Sequence, residues 1–335
     1  MRSISRRTTL RTGAAAILTP MISAPIILGA RAQDVYPNRV IKLVVPWPAG
    51  GITDVIGRLI AQKLSSELGQ TMVVENRAGA SGTIGHAAVA QSAADGYTLL
   101  LGTNSTYAIT PHLFERLPYD GDKAFAPISL VARSPQILSV HPAMTVKDFR
   151  GLLDYVRARQ PSGVSFESAG PGSTSHLAME LLMSMADFRM LHVPYRGGAP
   201  AIQALIAGEV QIGFSDAVIA LPFVGSDKIR MLAVSTTERL ASAPELPTIA
   251  ESGVAGFQSS TDVALFAPAG TPEPIIRRLY EALAAALKSP AVKGPIEAQG
   301  AIAVGGSPEQ FATYFAQESG KWRDVIRSRG IKIQQ

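Results

Sequence analysis

The chain is expected to fold as an α/β protein of two lobes with a cleft between them. Three features carry that expectation. Short apolar runs alternate with amphipathic stretches, the alternation occurs in two successive sets, and two extended apolar stretches stand where the chain would pass between the sets. Strands alternating with helices suit a parallel sheet covered on its faces, because parallel neighbours need a crossover of about a dozen residues.

The first set begins with a strand over residues 40–45 and a helix over 53–68. In that helix Val55, Ile56, Leu59, Ile60, Leu64 and Leu68 recur at the spacings of one buried face, and Gly69 stands where a C-cap glycine would. Strands over 72–75 and 98–101 follow, with a glycine-rich loop and a helix between them, which makes a βαβαβ unit. The second set runs over about 136–234. Thr145 is placed to cap a helix ending near Arg159, and strands are expected over 164–167, 190–193, 212–215 and 231–234. Helices are expected over 175–186 and from Pro200. From Pro272 onward the pattern is helical, with Pro272, Pro290 and Pro308 near helix starts. The two extended stretches, 128–140 and 257–268, hold apolar residues near prolines without a helical period. Two crossings make the first lobe discontinuous, with boundaries expected at 33–133 plus 262–335 for one lobe and 134–261 for the other. Paired crossing strands of this kind can serve as a hinge.

Ahead of the first set, Ser5-Arg6-Arg7-Thr8-Thr9-Leu10-Arg11 precedes a small, apolar stretch and then Ala30-Arg31-Ala32. This order reads as a twin-arginine export signal over residues 1–32, cleaved near Ala32, and places the mature chain in the periplasm. Pro20 and Pro25 interrupt the apolar stretch, which is shorter than the roughly 20 residues of a membrane span. The segment contains five arginines and no acidic residue, so the whole-chain charge of +5 becomes 26 basic against 26 acidic groups after its removal. The basic pI therefore lends no support to nucleic acid or anionic membrane as a partner. With no cysteine in the chain, disulfides, thiolate metal sites and cysteine nucleophiles are excluded.

Three glycine-rich turns stand at the carboxyl ends of expected strands, where open α/β sheets place their ligands. They are Pro46-Trp47-Pro48-Ala49-Gly50-Gly51-Ile52-Thr53-Asp54, Asn76-Arg77-Ala78-Gly79-Ala80-Ser81-Gly82-Thr83-Ile84-Gly85 and Ser168-Ala169-Gly170-Pro171-Gly172-Ser173-Thr174-Ser175-His176. Open amides at helix starts favour an anion, although turns of this kind are often no more than tight connections. None carries a dinucleotide or P-loop spacing, so no cofactor is expected. The five histidines lack paired ligand spacing, so no metal site is expected. The run around Ser173 is not a nucleophile elbow, which makes a hydrolase using Ser173 and His176 a minority reading. Arg58, Arg77 and Arg196 are weighed as carboxylate clamps, with Arg58 and Arg77 read as surface or bracing residues and Arg196 left open. Trp47 and Tyr195 are loop aromatics that could wall a pocket or pack the lobes together.

These loops, in this order, resemble the Bug family, the periplasmic substrate-binding proteins of tripartite tricarboxylate transporters. The resemblance rests on Val45-Pro46-Trp47-Pro48-Ala49-Gly50-Gly51 with Asp54 and Arg58, on Val74-Glu75-Asn76-Arg77-Ala78-Gly79-Ala80-Ser81-Gly82 and on Asp95-Gly96-Tyr97-Thr98-Leu99. It continues through Gly172-Ser173-Thr174-Ser175-His176-Leu177, His192-Val193-Pro194-Tyr195-Arg196-Gly197 and Ala267-Pro268-Ala269-Gly270-Thr271-Pro272. It implies a type II Venus flytrap that closes on a small organic acid, with no catalysis and no cofactor. The ligand positions it implies are Ala49, Gly50, Gly51 and Asp54, then Ser81 and Thr83, then Thr103, Ser105 and Thr106. Ala169, Gly170, Ser173 and Thr174 follow, with Asp216 across the cleft. The implied partners are a small carboxylate and the membrane permease, or alternatively a membrane sensor, with a monomer expected. Where the family often carries a bulky aromatic, this chain reads Thr261-Asp262-Val263-Ala264-Leu265-Phe266, which implies an altered hinge-side wall.

Overall fold

An apolar, β-branched run makes β1 (Ile41–Val45) a strand buried everywhere but at Lys42. The computed structural model describes residues 36–159 and 163–331, so the expected export signal lies outside the described residues. After β1 come α1 (Ile52–Leu68), β2 (Met72–Asn76), α2 (Thr83–Ala90), β3 (Thr98–Thr103) and the short α3 (Thr110–Leu113). Helix α1 buries Ile56, Ile60, Leu64 and Leu68 along one stripe and ends at Gly69, whose φ of 68° is the left-handed conformation a C-cap requires. Strands β2 and β3 flank β1 on either side, both parallel to it.

Next is β4 (Phe125–Val140), a 16-residue strand that begins earlier than the sequence pattern indicates. It is followed by α4 (Phe149–Arg157), β5 (Ser165–Ser168), α5 (Thr174–Ala186), β6 (Leu191–Pro194), α6 (Gly198–Ala207), β7 (Ile212–Asp216), α7 (Ala217–Ala220) and β8 (Arg230–Val234). Thr145 does not cap α4. Arg230 donates to the carbonyls of Met144 (3.0 Å) and Val146 (2.7 Å), holding that approach outside the helix. Asp148 takes the cap instead and accepts from the Gly151 amide at 2.7 Å.

The chain then returns through β9 (Ser260–Pro268) to α8 (Glu273–Lys288), α9 (Pro290–Ala298), the two-residue β10 (Ile302–Ala303) and α10 (Pro308–Arg329). Pro272, Pro290 and Pro308 stand at the starts of α8, α9 and α10, where a missing N–H costs nothing. Helix α10 opens with a capping box between Ser307 and Gln310. Ser307→Ala is expected to remove about 1 kcal/mol of stability, and a urea titration showing no change in midpoint would count against that role.

The two extended stretches form one long antiparallel pair. Residues Phe125 to Pro135 of β4 pair with β9, whereas Gln136 to Val140 pair with β7 on one side and β8 on the other. One half of the sheet therefore runs β2-β1-β3-β9-β4, and the other runs β6-β5-β7-β4-β8. Each half has three parallel strands followed by an antiparallel strand arriving from the opposite side. Leu43, Ile60 and Leu99 share a core with Leu279 and Leu283 of α8, and the opposite face of the same half buries Phe266, Phe311 and Trp322. The second half packs Phe149, Leu182 and Phe214 on one face and Ile202, Leu205 and Val234 on the other. This arrangement brings the carboxyl ends of both parallel sets toward one another.

Candidate functional site

The first glycine-rich turn is held from behind. Asp54, in the first turn of α1, is buried and accepts from Arg58 (2.8 Å), the Gly50 amide (3.0 Å) and the Asn76 side chain (3.0 Å). Asn76 also donates to the Trp47 carbonyl at 3.0 Å. The expected ligand role of Asp54 is thus not what its geometry serves. Its oxygens fix the Trp47-to-Gly51 loop, and Arg58 and Asn76 complete that brace. Trp47 points the other way, donating its indole N–H to the Thr103 hydroxyl at 3.1 Å.

The third turn is organised by its own side chains. Ser173 caps α5 by accepting from the His176 amide at 3.3 Å, Ser175 accepts from the Ala169 amide at 3.0 Å, and His176 Nδ1 accepts from the Gly172 amide at 3.1 Å. His176 stacks on His192 with ring centroids 3.9 Å apart, and His192 Nε2 lies 2.6 Å from the Ser168 hydroxyl. Burial, with His192 adding to it, pushes His176 down to about 3, and burial alone pushes His192 down to about 4. Both rings are neutral struts beneath the turn. With Nδ1 taken up by Gly172, and Ser173 Oγ occupied by an amide and the Ser175 hydroxyl (3.2 Å), no Ser173–His176 nucleophile–base pair forms, so the hydrolase reading lacks its geometry.

Between the sheet halves these loops enclose a cavity of about 60 Å³, room for a few waters or the polar head of a small ligand. It is lined by Trp47, Ala49, Gly51, Thr103 and Ser105 from one half and by Ala169, Ser173, Thr174 and Asp216 from the other, all residues singled out from the sequence. The first turns of three helices converge on it, at Gly51–Thr53 of α1, Ser173–Ser175 of α5 and Gly197–Pro200 of α6. Gly51 and Gly197 make no side-chain cap, which leaves first-turn amides of α1 and α6 without a protein side chain to satisfy them.

A second, larger cavity of about 860 Å³ shares Trp47, Pro48, Ala169 and Gly197 with the first. Ser81, Thr83, Gly170, Tyr195 and Arg196 line it, so these candidates face an outer space next to the inner cavity. The Tyr195 hydroxyl donates to Glu209 at 3.1 Å, and the Ser81 hydroxyl donates to the Pro171 carbonyl at 2.7 Å, joining the second turn to the third across the cleft. Gly50 and Thr106 border neither cavity. Gly50 is exposed with its amide on Asp54, and the Thr106 hydroxyl is folded back on the Thr103 amide and carbonyl. Arg77 pairs with Glu75 on the surface. In the altered hinge stretch, Thr261 supplies wall to the inner cavity while Val263 turns into the core.

Sequence reasoning missed Gln136 and Glu167, and named Thr261 only as part of the hinge-side wall; all three line the inner cavity. The signal for Glu167 was a carboxylate at the carboxyl end of a short expected strand, just ahead of the third glycine-rich turn. Its side chain is buried, accepts from Ser215 at 3.2 Å through one oxygen, and has no partner for the other. Asp216 is bonded by Thr261 and likewise retains one buried oxygen without a partner. Burial pushes Glu167 up to about 8, with nearby Asp216 adding to the rise, and pushes Asp216 up to about 7.

These shifts set the pH dependence of folding. The buried His86, His176 and His192 are neutral in the folded chain near pH 7, while the unfolded chain sheds its imidazole protons around 6.5, so their opposing slope fades as pH rises through about 7.5. Glu167 and Asp216 keep protons in the folded chain, up to about 8 and about 7, that the unfolded chain has already released. Stability is therefore expected to fall as pH rises from about 7 to about 8, with Glu167→Gln flattening the decline. Denaturant titrations stepped through that window check this, and an equal slope in the variant would refute it.

A family model described as the tripartite tricarboxylate transporter family receptor matches residues 56–331. The chain belongs to this receptor family. Its members are solute-binding proteins and not enzymes, in keeping with a cleft built from capped turns and helix starts. Among receptors of this kind, BugT of Bordetella pertussis (strain Tohama I) is 37% identical over 318 residues, spanning 95% of this chain and 96% of BugT. Rpa4515 of R. palustris, solved with adipate, superposes with a TM-score of 0.85 at 36% identity over 89% of this chain and 99% of that one. MatC (Rpa3494) from Rhodopseudomonas palustris, solved with bound malate, gives 0.82 at 34% identity over 87% of this chain and 100% of that one. The fold is the two-lobed flytrap of periplasmic binding proteins, as the resemblance implied.

Proposed function

We propose that this receptor captures a small organic carboxylate between its two lobes and delivers it to the membrane components of a tripartite tricarboxylate transporter. The observation that carries the reading is the convergence of three helix starts, from both halves of the sheet, on one small cavity. Amide N–H groups at helix N-termini carry partial positive charge and unfilled hydrogen bonds, so together they suit an anion without a buried cation of the protein. Because the donors come from both halves, a bound carboxylate favours the closed arrangement over an open one. The adipate and malate held by the two Rhodopseudomonas receptors support the same ligand chemistry.

The lobe boundaries that serve this closure are taken to fall inside β4 and β9, near residues 133/134 and 261/262. Export is assigned to residues 1–32, and N-terminal sequencing of periplasmic protein is expected to start after Ala32. Sedimentation is expected to give a monomer.

For the ligand, thermal unfolding is to be measured against a panel of mono-, di- and tricarboxylates and amino acids. A bound carboxylate at about a hundred times its dissociation constant stabilises the fold by about 2.7 kcal/mol. A flat response to the whole panel would overturn the reading.

A further inference from the structure

The inner cavity is not uniformly suited to an anion. Besides the helix starts, its wall includes Glu167 at the end of β5 and Asp216 at the end of β7, together with Ser215, Gln136 and Thr261. Glu167 is buried and Asp216 half-buried, and each has a buried oxygen with no hydrogen-bond partner, Glu167 Oε2 and Asp216 Oδ1. The hydroxyls beside them and the Gln136 carbonyl oxygen are already committed. The Ser215 hydroxyl is on Glu167, a Thr261 side-chain bond is on Asp216, and Gln136 Oε1 accepts from Ser259 at 3.1 Å. Among the described residues, no lysine, arginine or histidine lines the cavity. The other titratable group that faces Glu167 electrostatically is Tyr195 on the loop after β6, a weak acid and no counter-ion, while His192 of β6 is bound to Ser168.

Buried polar oxygens left without donors are costly; an arriving carboxylate supplies none, and it meets a like charge wherever either acid has ionised. An ammonium group supplies three N–H donors and the opposite charge. We propose that Glu167 and Asp216 form a cation subsite, so that the solute carries a protonated amine as well as a carboxylate, the carboxylate toward the starts of α1, α5 and α6 and the amine toward the acid pair. This rests on the carboxylate reading above and narrows it to zwitterionic acids. The raised proton affinities of the two acids fit the same picture, since a protein that awaits its cation holds protons there and gives them up when the ammonium arrives.

The test compares matched pairs that differ by one amine: succinate with aspartate, glutarate with glutamate, and adipate with 2-aminoadipate. Titration calorimetry of the full mature chain, in two buffers of different ionisation enthalpy near pH 7, reads affinity and proton release together. For the pair that fits the cavity, the amino compound is expected to bind at least about tenfold tighter than its partner, with net release of protons to the buffer. In Glu167→Gln and Asp216→Asn the preference is expected to collapse, and the plain dicarboxylate to bind at least as well as in the parent, because an amide cannot ionise to attract an ammonium or repel a carboxylate. Thermal melts establish that each variant is folded, and either variant alone suffices for the comparison. Equal or tighter binding of the plain dicarboxylate, or an unchanged preference in both variants, overturns the cation subsite and leaves carboxylate capture standing. Failure of every compound to bind overturns both.

Discussion

Arg133→Ala is expected to be among the most damaging single changes in the protein, costing about 3–5 kcal/mol of folding stability. Asp262, near the Ser260 end of the β4–β9 pair, is fully buried and accepts from Arg133 Nε at 3.0 Å and from the hydroxyls of Ser260 and Tyr314, while its own amide donates to Asn104 at 3.1 Å. Arg133 lies over the Tyr314 ring, 5.2 Å from its centroid, so the guanidinium links both crossing strands to α10. The neighbouring Asp262 carboxylate raises the proton affinity of Arg133 even against burial. Removing the cation leaves a buried carboxylate with hydroxyl donors alone, which is far costlier than losing an exposed pair. The variant is expected to unfold at markedly lower urea, and Arg133→Ala/Asp262→Asn to recover part of the loss. A loss under about 1 kcal/mol in the single variant would show that the cluster does not hold the hinge.

Gly213→Ala is expected to weaken carboxylate binding by about a hundredfold, close to 2.7 kcal/mol, while costing the fold about 1–3 kcal/mol through overpacking. Gly213 of β7 pairs directly with Glu167 of the parallel strand β5, and a Cβ built on Gly213 overlaps the Oε1, Cδ and Cγ of Glu167. The missing side chain is what lets the Glu167 carboxyl lie across the neighbouring strand. A methyl group there forces the carboxyl to move, and the space beside it is the inner cavity. Calorimetry with the ligand that the thermal panel identifies, alongside a denaturant titration, separates the two effects. Binding within about threefold of the parent would show that Glu167 and the cavity are independent.

Much of the inner cavity's lining could be read from residue order because strand-to-helix turns report their own local geometry. Trp47, Ala49, Gly51, Ser173 and Thr174 line the inner cavity since a glycine-rich turn at a strand's carboxyl end points into the cleft of this topology. Asp54 and Thr106 show the limit of that reasoning. Both stand within or beside the right loops, yet Arg58, Gly50 and Asn76 take up the one and the Thr103 backbone takes up the other. Proximity in sequence places a side chain near a site, but its hydrogen bonds decide whether it serves the ligand or the loop.

Hydrophobic periodicity, the placed prolines and glycines and the ordered turns determined by themselves the strand and helix sequence, the two-lobed class and the family. These are local or near-local properties, written within a few turns of chain. Tertiary structure alone decided that Glu167, Gln136 and Thr261, separated by as many as 125 residues, share one wall with Asp216. It also decided that Arg133 and Tyr314 meet at Asp262. Those contacts follow from the register of β4 against β7 and β9, which is set by burial across the whole sheet and leaves no mark in any single stretch of residues.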